Sequence, residues 1–305
     1  MSTELNQYRQ FMKPAEIHKA VNSLIGIIEG IKLDLTVNSA EMDEVINWCN
    51  LQRPFQKRFP FSEILLVIDA ALEDDFLSKD EIEDILWLCK SSINNTDEFN
   101  IYYDVTTSSI QQLHGIIHGI MADNTLKDLE IQALMEWLKE REFLKGTYPF
   151  DEIHALLTST LEDGVITEDE KNLLRGFFGN FIDTRSSYNI NQIELENLRN
   201  TYSITGICAV NPSINFENSV FSFTGTSTKG TRKEIAEIIT NSGGIFNNGV
   251  TKKTEYLIIG GEGNPCWAFS CYGRKVEKAV ELRKQGQKII MVHEEDFWTV
   301  FEGKL

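Results

Sequence analysis

Apolar residues in the first two-thirds of the chain recur at helical spacing in short blocks, and the blocks themselves repeat. Leu24-Ile-Gly-Ile-Ile-Glu-Gly-Ile31 aligns with Leu113-His-Gly-Ile-Ile-His-Gly-Ile120 at a shift of 89 positions. The same shift carries Asp34 to Asp123, Trp48 to Trp137, Phe59-Pro60-Phe61 to Tyr148-Pro149-Phe150, Leu72-Glu73-Asp74 to Leu161-Glu162-Asp163 and Asp80-Glu81 to Asp169-Glu170. A match without gaps over about 70 positions implies two copies of one supersecondary unit within residues 18 to 183. Each copy also repeats weakly at a shift of 40, Asp34, Val37 and Glu41 matching Asp74, Leu77 and Glu81. The shared element is an apolar helix, an acidic turn and a second helix opened by a capping residue with Glu three positions on, clearest in Ser78-Lys-Asp-Glu81 and Thr167-Glu-Asp-Glu170. Four helix-turn-helix pieces, all α, are expected.

The pattern changes after residue 215. The apolar run Val220-Phe-Ser-Phe-Thr-Gly225 reads as a strand, and Thr231 is a candidate N-cap, with Glu234 beyond it and Ile235, Ile238 and Ile239 on one helical face. Gly243-Gly244 ends that helix. Gly244-Ile-Phe, Tyr256 to Ile259 and Lys288 to Val292 read as extended, Arg274 to Gln285 and Glu294 to Phe301 as helical. Strands alternating with helices predict a small parallel sheet flanked by helices. Between the two parts, residues 186–215 read as a linker holding a short helix over Gln192 to Asn200, with Ile204, Ile207 and Val210 resting on a surface. The expected domains are an acidic all-helical region over 1–185, a linker over 186–215 and a small α/β domain over 216–305.

Charge sharpens the division. Residues 1 to 215 carry 17 Lys and Arg against 35 Asp and Glu, whereas residues 216 to 305 carry 12 against 11, in a chain of net charge −17. The acidic part repels nucleic-acid phosphates, so any such contact belongs to the C-terminal part. Five scattered cysteines without a C-x-x-C pair argue against a disulfide framework or a zinc site, Cys266 and Cys271 included, and fit a reducing cytosol. No apolar run approaches membrane-spanning length and no signal pattern opens the chain, so a cytoplasmic location is expected.

The Phe-Thr-Gly end of the first strand, Gly243-Gly244, Thr251-Lys-Lys-Thr-Glu-Tyr-Leu257, Lys275-Val-Glu-Lys-Ala279 and Trp298 together resemble a BRCT domain, of the kind found in NAD-dependent DNA ligases and the large subunit of replication factor C. The resemblance covers residues 216 to 305. It implies a phosphate pocket at Thr224, Gly225, Arg232 and Lys275: a hydroxyl, a backbone N–H that only glycine leaves approachable, and two cations. The other reading of these residues is a turn flanked by solvated charges, as in BRCT copies that only pack against proteins. Arg274 and Lys278 are auxiliary candidates along a duplex backbone. Lys252 and Lys253 read as a solvated loop. Residues 260–273 form a loop longer and more aromatic than in ligases; its Trp267, Phe269 and Tyr272 either stack on an exposed base or cover the domain's own core.

In the helical part, Asp163-Gly-Val-Ile-Thr-Glu-Asp-Glu170 resembles the Asp-Gly-x-Ile-Thr/Ser-x-x-Glu turn of tellurite-resistance B-like domains. His114 and His118 have a spacing that suits two imidazoles on one metal, but no Glu follows His114, and they read as ordinary helix residues. The acidic turns fail the alternate-oxygen pattern of a calcium loop. No nucleophile motif or phosphate-binding glycine loop of an enzyme is present, and no cofactor or metal is expected. The sequence thus points to a non-catalytic adaptor. Its C-terminal domain would meet a 5′-phosphorylated DNA end or a phosphorylated protein, and its helices a protein partner or a second copy. One alternative is an interaction scaffold that binds no DNA, and another is a metal-dependent enzyme in the helical part, to be sought at His114 and Asp163.

Overall fold

The computed structural model describes residues 14–34, 37–74, 76–94, 103–182, 187–202, 207–227, 229–261 and 274–303. Its first eight helices reproduce the duplication. In the first copy α1 (Pro14–Ile31), α2 (Ser39–Gln52), α3 (Phe61–Ala71) and α4 (Lys79–Asn94) follow one another. In the second, α5 (Val105–Ile120), α6 (Asp128–Lys139), α7 (Phe150–Thr160) and α8 (Glu168–Phe178) do the same. The short 3-10 turns at Arg53–Phe55 and Glu142–Leu144 also coincide under the 89-residue shift. Capping boxes open the second helix of the pieces. Glu41 N donates to Asn38 Oδ1 at 3.0 Å and Asn38 N to Glu41 Oε2 at 2.8 Å; the pairs Ser78 with Glu81 and Thr167 with Glu170 repeat this exchange.

The chain forms two compact units, Met1–Leu134 with Lys171–Thr201, and Met135–Glu170 with Tyr202–Leu305. Residues 135–170, which by sequence belong to the helical repeats, thus fall in the same unit as the C-terminal α/β fold.

In the first unit the equivalent helices α1 and α5 lie backbone to backbone. A Cβ on Gly26 would come 2.1 Å from Gln112 O and 2.7 Å from Gly115 Cα, and one on Gly119 would come 2.4 Å from Ile27 O. The repeated Gly-x-x-x-Gly of each copy therefore forms the seam between copies, because only glycine lets two helix backbones approach so far. Asn22 and Gln112 extend the seam, Gln112 Nε2 donating to Asn22 Oδ1 at 3.2 Å. The apolar faces of the first copy meet in a core built on Leu24, Ile28, Trp48, Phe61, Ile68 and Ile85. Helix α9 (Gln192–Thr201), expected as a linker segment, buries Leu195 fully and crosses α8 at Gly176, where an added Cβ would meet Leu198 within 3.3 Å.

The second unit carries four parallel strands, β1 (Val220–Thr224), β2 (Ile245–Asn247), β3 (Tyr256–Ile259) and β4 (Ile290–His293), in the order β2-β1-β3-β4. Helices α10 (Arg232–Asn241), α11 (Arg274–Lys284) and α12 (Glu294–Glu302) connect and flank them. Strand side chains alternate between two cores. Phe221, Phe223, Tyr256, Ile258 and Val292 pack with Ile235, Ile239, Phe297 and Trp298 of α10 and α12. Leu257, Ile259 and Met291 pack with Val276, Ala279 and Leu282 of α11. The capping box expected at Thr231 and Glu234 is present. Of the stretch expected to rest on a surface, Ile207 is buried and Ala209 N donates to Met291 O at 2.8 Å, alongside β4; Ile204 lies outside the described residues.

One side chain ties α7 to this fold. Arg283 of α11 is buried, donating from Nε to Glu152 Oε1 at 2.8 Å and from Nη2 to Glu152 Oε2 at 3.0 Å, Asp151 Oδ2 at 3.2 Å and Thr147 O at 3.1 Å. Nη1 completes the set with Gly146 O at 3.3 Å and Ile289 O.

Candidate functional site

Strand order places the C-terminal ends of β1 and β3 side by side while their following connections leave in opposite directions, β1 toward β2 and β3 toward β4. In open α/β sheets that reversal leaves a crevice outside the strand ends, the place where ligands bind. Here both strands end in glycines that approach one another closely. Gly225 follows β1 with φ +82°, a conformation that side chains disfavour, and a Cβ there would meet Gly260 N and O at 3.4 Å. Gly260 follows β3, donates to Thr224 O at 2.9 Å, and has no room for a Cβ, which would fall 2.3 Å from Thr226 O.

Two cations reach this end of β1. Lys275, in the first turn of α11, donates from Nζ to Phe223 O at 2.8 Å, which leaves two further ammonium donors. Arg232, the first residue of α10, sets its guanidinium 5.6 Å above the Phe223 ring. Burial lowers the Lys275 pKa, and the Arg232 charge lowers it further, so the two cations sense one another. Thr224 is half-buried at the end of β1, paired with Ile259, while Gly225 and Arg232 are exposed. Helix α10 presents its N-terminal amides at the same end, favourable to an anion.

Of the four residues named from sequence, Lys275 meets the Phe223 carbonyl, Arg232 lies over the Phe223 ring, and Thr224 and Gly225 follow Phe223 in the chain. Arg274 and Lys278 are exposed on α11, without a described tie to this group. Trp267, Phe269 and Tyr272, with Cys266 and Cys271, lie outside the described residues. Sequence reading missed Gly260, whose signal was a second glycine-ended strand. It also missed the Phe223 carbonyl, which no pattern of side chains announces. Lys252 and Lys253 are exposed, as expected of a solvated loop.

The helical region holds two groups of titratable side chains. At the seam between copies, ligand atoms of Asp34, Glu41 and Glu130 lie within 4.8 Å of one another. Lys127 Nζ sits among them, 2.5 Å from Asp34 Oδ2, 3.8 Å from Glu41 Oε1 and 3.5 Å from Asp123 Oδ2, so an ammonium supplies the positive charge. Burial pushes both Glu41 and Glu130 up to about 7, against the pull of Lys127 and with Asp34 and Asp123 adding to the rise. These acids read from sequence as helix-terminal capping residues; Glu41 and Glu130 do cap, but deep in the interior. The second group separates the two histidines. His118 Nε2 lies 2.9 Å from Glu44 Oε2, whereas His114 stacks on Phe181 at 5.5 Å and is pushed down to about 4, by burial and then by Lys19. They share no metal geometry.

Residues 211–300 match the family model of the BRCA1 C Terminus (BRCT) domain. A DNA ligase of Fervidobacterium nodosum is 38% identical over 84 residues, which are 28% of this chain and 10% of the ligase. The chain therefore spans a tenth of that relative's length. No solved structure matches it. Among the described residues no helix is long and apolar enough to cross a membrane. With the parallel sheet, its two helical layers and this match in agreement, the C-terminal part of the chain, residues 211–300, is a BRCT domain.

Proposed function

We propose that the BRCT domain holds a phosphate group, most favourably the 5′-phosphate of a DNA end, at Thr224, Gly225, Arg232 and Lys275. The observation that carries this reading is that Lys275 meets the carbonyl of Phe223 and Arg232 its ring, bringing two cations to the glycine-flanked end of β1. Two cations held close together repel unless an anion lies between them, and a phosphate meeting both forms charge-assisted hydrogen bonds of about 1.5–3 kcal/mol each. Arg274 and Lys278 extend the positive side of α11 toward a duplex. The matched ligase is a protein that joins DNA, which favours a DNA end over other phosphates. In this reading the chain is a non-catalytic cytoplasmic adaptor, and its acidic helical repeats engage a protein partner or a second copy.

Mobility shifts with duplexes that differ only in a 5′-phosphate or 5′-hydroxyl test the proposal. The phosphorylated duplex is retained better, the preference disappears in Thr224→Ala/Lys275→Ala, and retention falls steeply with salt. Equal retention of both duplexes removes it.

A second reading is favoured by the domain's near balance of 12 basic and 11 acidic residues, since sequence-independent DNA binders carry a clear positive excess. There the BRCT domain docks a protein, phosphorylated or not, and no nucleic acid. Light scattering of the full chain, with the same mobility shifts, separates the two.

A further inference from the structure

Internal duplication allows the two copies to be compared place by place. In the second copy Arg141 follows α6 and lays its guanidinium 4.0 Å over the Trp137 ring, with Nη1 donating to Trp137 O at 3.3 Å. The shift of 89 positions makes Trp48 the equivalent of Trp137 and Gln52 the equivalent of Arg141. The first copy therefore keeps the indole, 5% exposed and packed beside Phe61, and has Gln52 where the second copy has its cation. What stands there is a cavity of about 350 Å³, lined by Trp48, Gln52 and Glu44 of α2, by Glu16 and Lys19 of α1, and by His118 of α5.

The lining is suited to a planar cation. Trp48 offers a ring, and its indole N–H is already committed to Ala20 O at 3.1 Å. The Gln52 side chain, only 9% exposed, buries its Oε1 without a hydrogen-bond partner. A buried carbonyl left unpaired costs stability, and the amide's broad terminal torsion lets its oxygen turn to a donor entering the cavity. Gln52 ends α2 and Trp48 lies one turn before it, near the carbonyls that carry the negative end of the helix dipole. Glu44 is not open to a new partner: Ser187 Oγ, Tyr188 N and Asn189 N donate to one of its oxygens and His118 meets the other. His118 is thereby held at the wall, and the donor-hungry atom of the cavity is the Gln52 oxygen.

We propose that the cavity beside Trp48 is a guanidinium-binding site, taking from a ligand the planar cation that Arg141 supplies at the equivalent place in the second copy. The guanidinium stacks on Trp48 and donates to Gln52 Oε1 and to carbonyls in the last turn of α2. Its source is a small alkylguanidine or an arginine side chain of another protein. The proposal is independent of the phosphate reading, since it uses no residue of the BRCT domain.

Calorimetric titration of the full chain tests it, with agmatine in one arm and a blocked short peptide bearing one arginine in the other. Putrescine and the lysine counterpart of the peptide are the controls. At least one guanidinium ligand binds with a Kd of about 1 mM or tighter, and its control binds at least about 10-fold more weakly. Gln52→Arg, which restores the internal cation, abolishes binding while keeping the unfolding midpoint. Gln52→Leu folds and weakens binding at least about 10-fold. Binding of agmatine identifies a small-molecule site, and binding of the arginine peptide alone identifies a docking site for a partner's side chain. No binding of either guanidinium up to about 10 mM, equal binding of the controls, or undiminished binding by Gln52→Arg overturns the proposal.

Discussion

Gly26 and Gly115, equivalent residues of two copies of one unit, face each other so closely that a Cβ on Gly26 would lie 2.7 Å from the Gly115 Cα. The duplication is thus held by a seam in which each copy contributes the same surface. Gly115→Leu is expected to destabilise the helical unit by about 3 kcal/mol, because the added atoms meet backbone that cannot yield. Urea unfolding followed by circular dichroism checks this, and a midpoint unchanged from wild type refutes the seam.

The carboxyls of Glu41 and Glu130, both raised to about 7, make stability depend on pH in an uncommon direction. The folded state holds these protons more tightly than the unfolded chain does, whose glutamates titrate near the ordinary value of 4.5. Their contribution is therefore greatest below the unfolded pKa and is lost as pH rises through about 7. Asp34, Asp123 and Lys127 face the pair and shape the same window. Glu130→Gln, which keeps a capping acceptor, is expected to raise the urea midpoint at pH 8 and to flatten its fall with pH. A steeper fall in the variant contradicts the assignment.

Arg283 is buried against Asp151 and Glu152, and burial pushes Asp151 up to about 6 even with the guanidinium beside it. Arg283→Met leaves two carboxyls without their cation and is expected to cost about 3–5 kcal/mol. Adding Glu152→Met recovers part of the loss, since an apolar pair replaces a stranded charge. Thermal unfolding of the three proteins reads the coupling; strictly additive losses argue against it.

Gly225 combines φ +82° with the close approach of Gly260. Gly225→Ala is expected to cost about 1 kcal/mol or more through the backbone alone and to remove the preference for a 5′-phosphate. A folded variant that retains the preference places the anion away from the end of β1.

Much of the architecture was legible before any coordinates, for local reasons. The 89-residue repeat, the capping boxes at Ser78, Thr167 and Thr231, and the alternation of strands and helices after Val220 all depend on near neighbours in sequence, and near neighbours determine helix starts, turns and burial periodicity. The BRCT resemblance singled out Thr224, Gly225, Arg232 and Lys275 as candidates, which is as far as sequence carried the site. Nothing local placed the Lys275 ammonium on the Phe223 carbonyl, 52 positions away.

Tertiary packing alone decided the rest. Gly26, Gly30, Gly115 and Gly119 look like weak points in two helices until the helices meet; then the missing Cβ atoms become the contact. Glu41 and Glu130 have the sequence of exposed caps, yet the seam buries them and moves their protonation toward neutrality. Residues 135–170 carry the repeat's sequence but share a compact unit with the BRCT fold, where Arg283 reaches Glu152 across 131 positions. The difference is one of range: periodicity and capping are written in neighbouring residues, whereas desolvation, close approach and ion pairing depend on which distant surfaces the folded chain brings together.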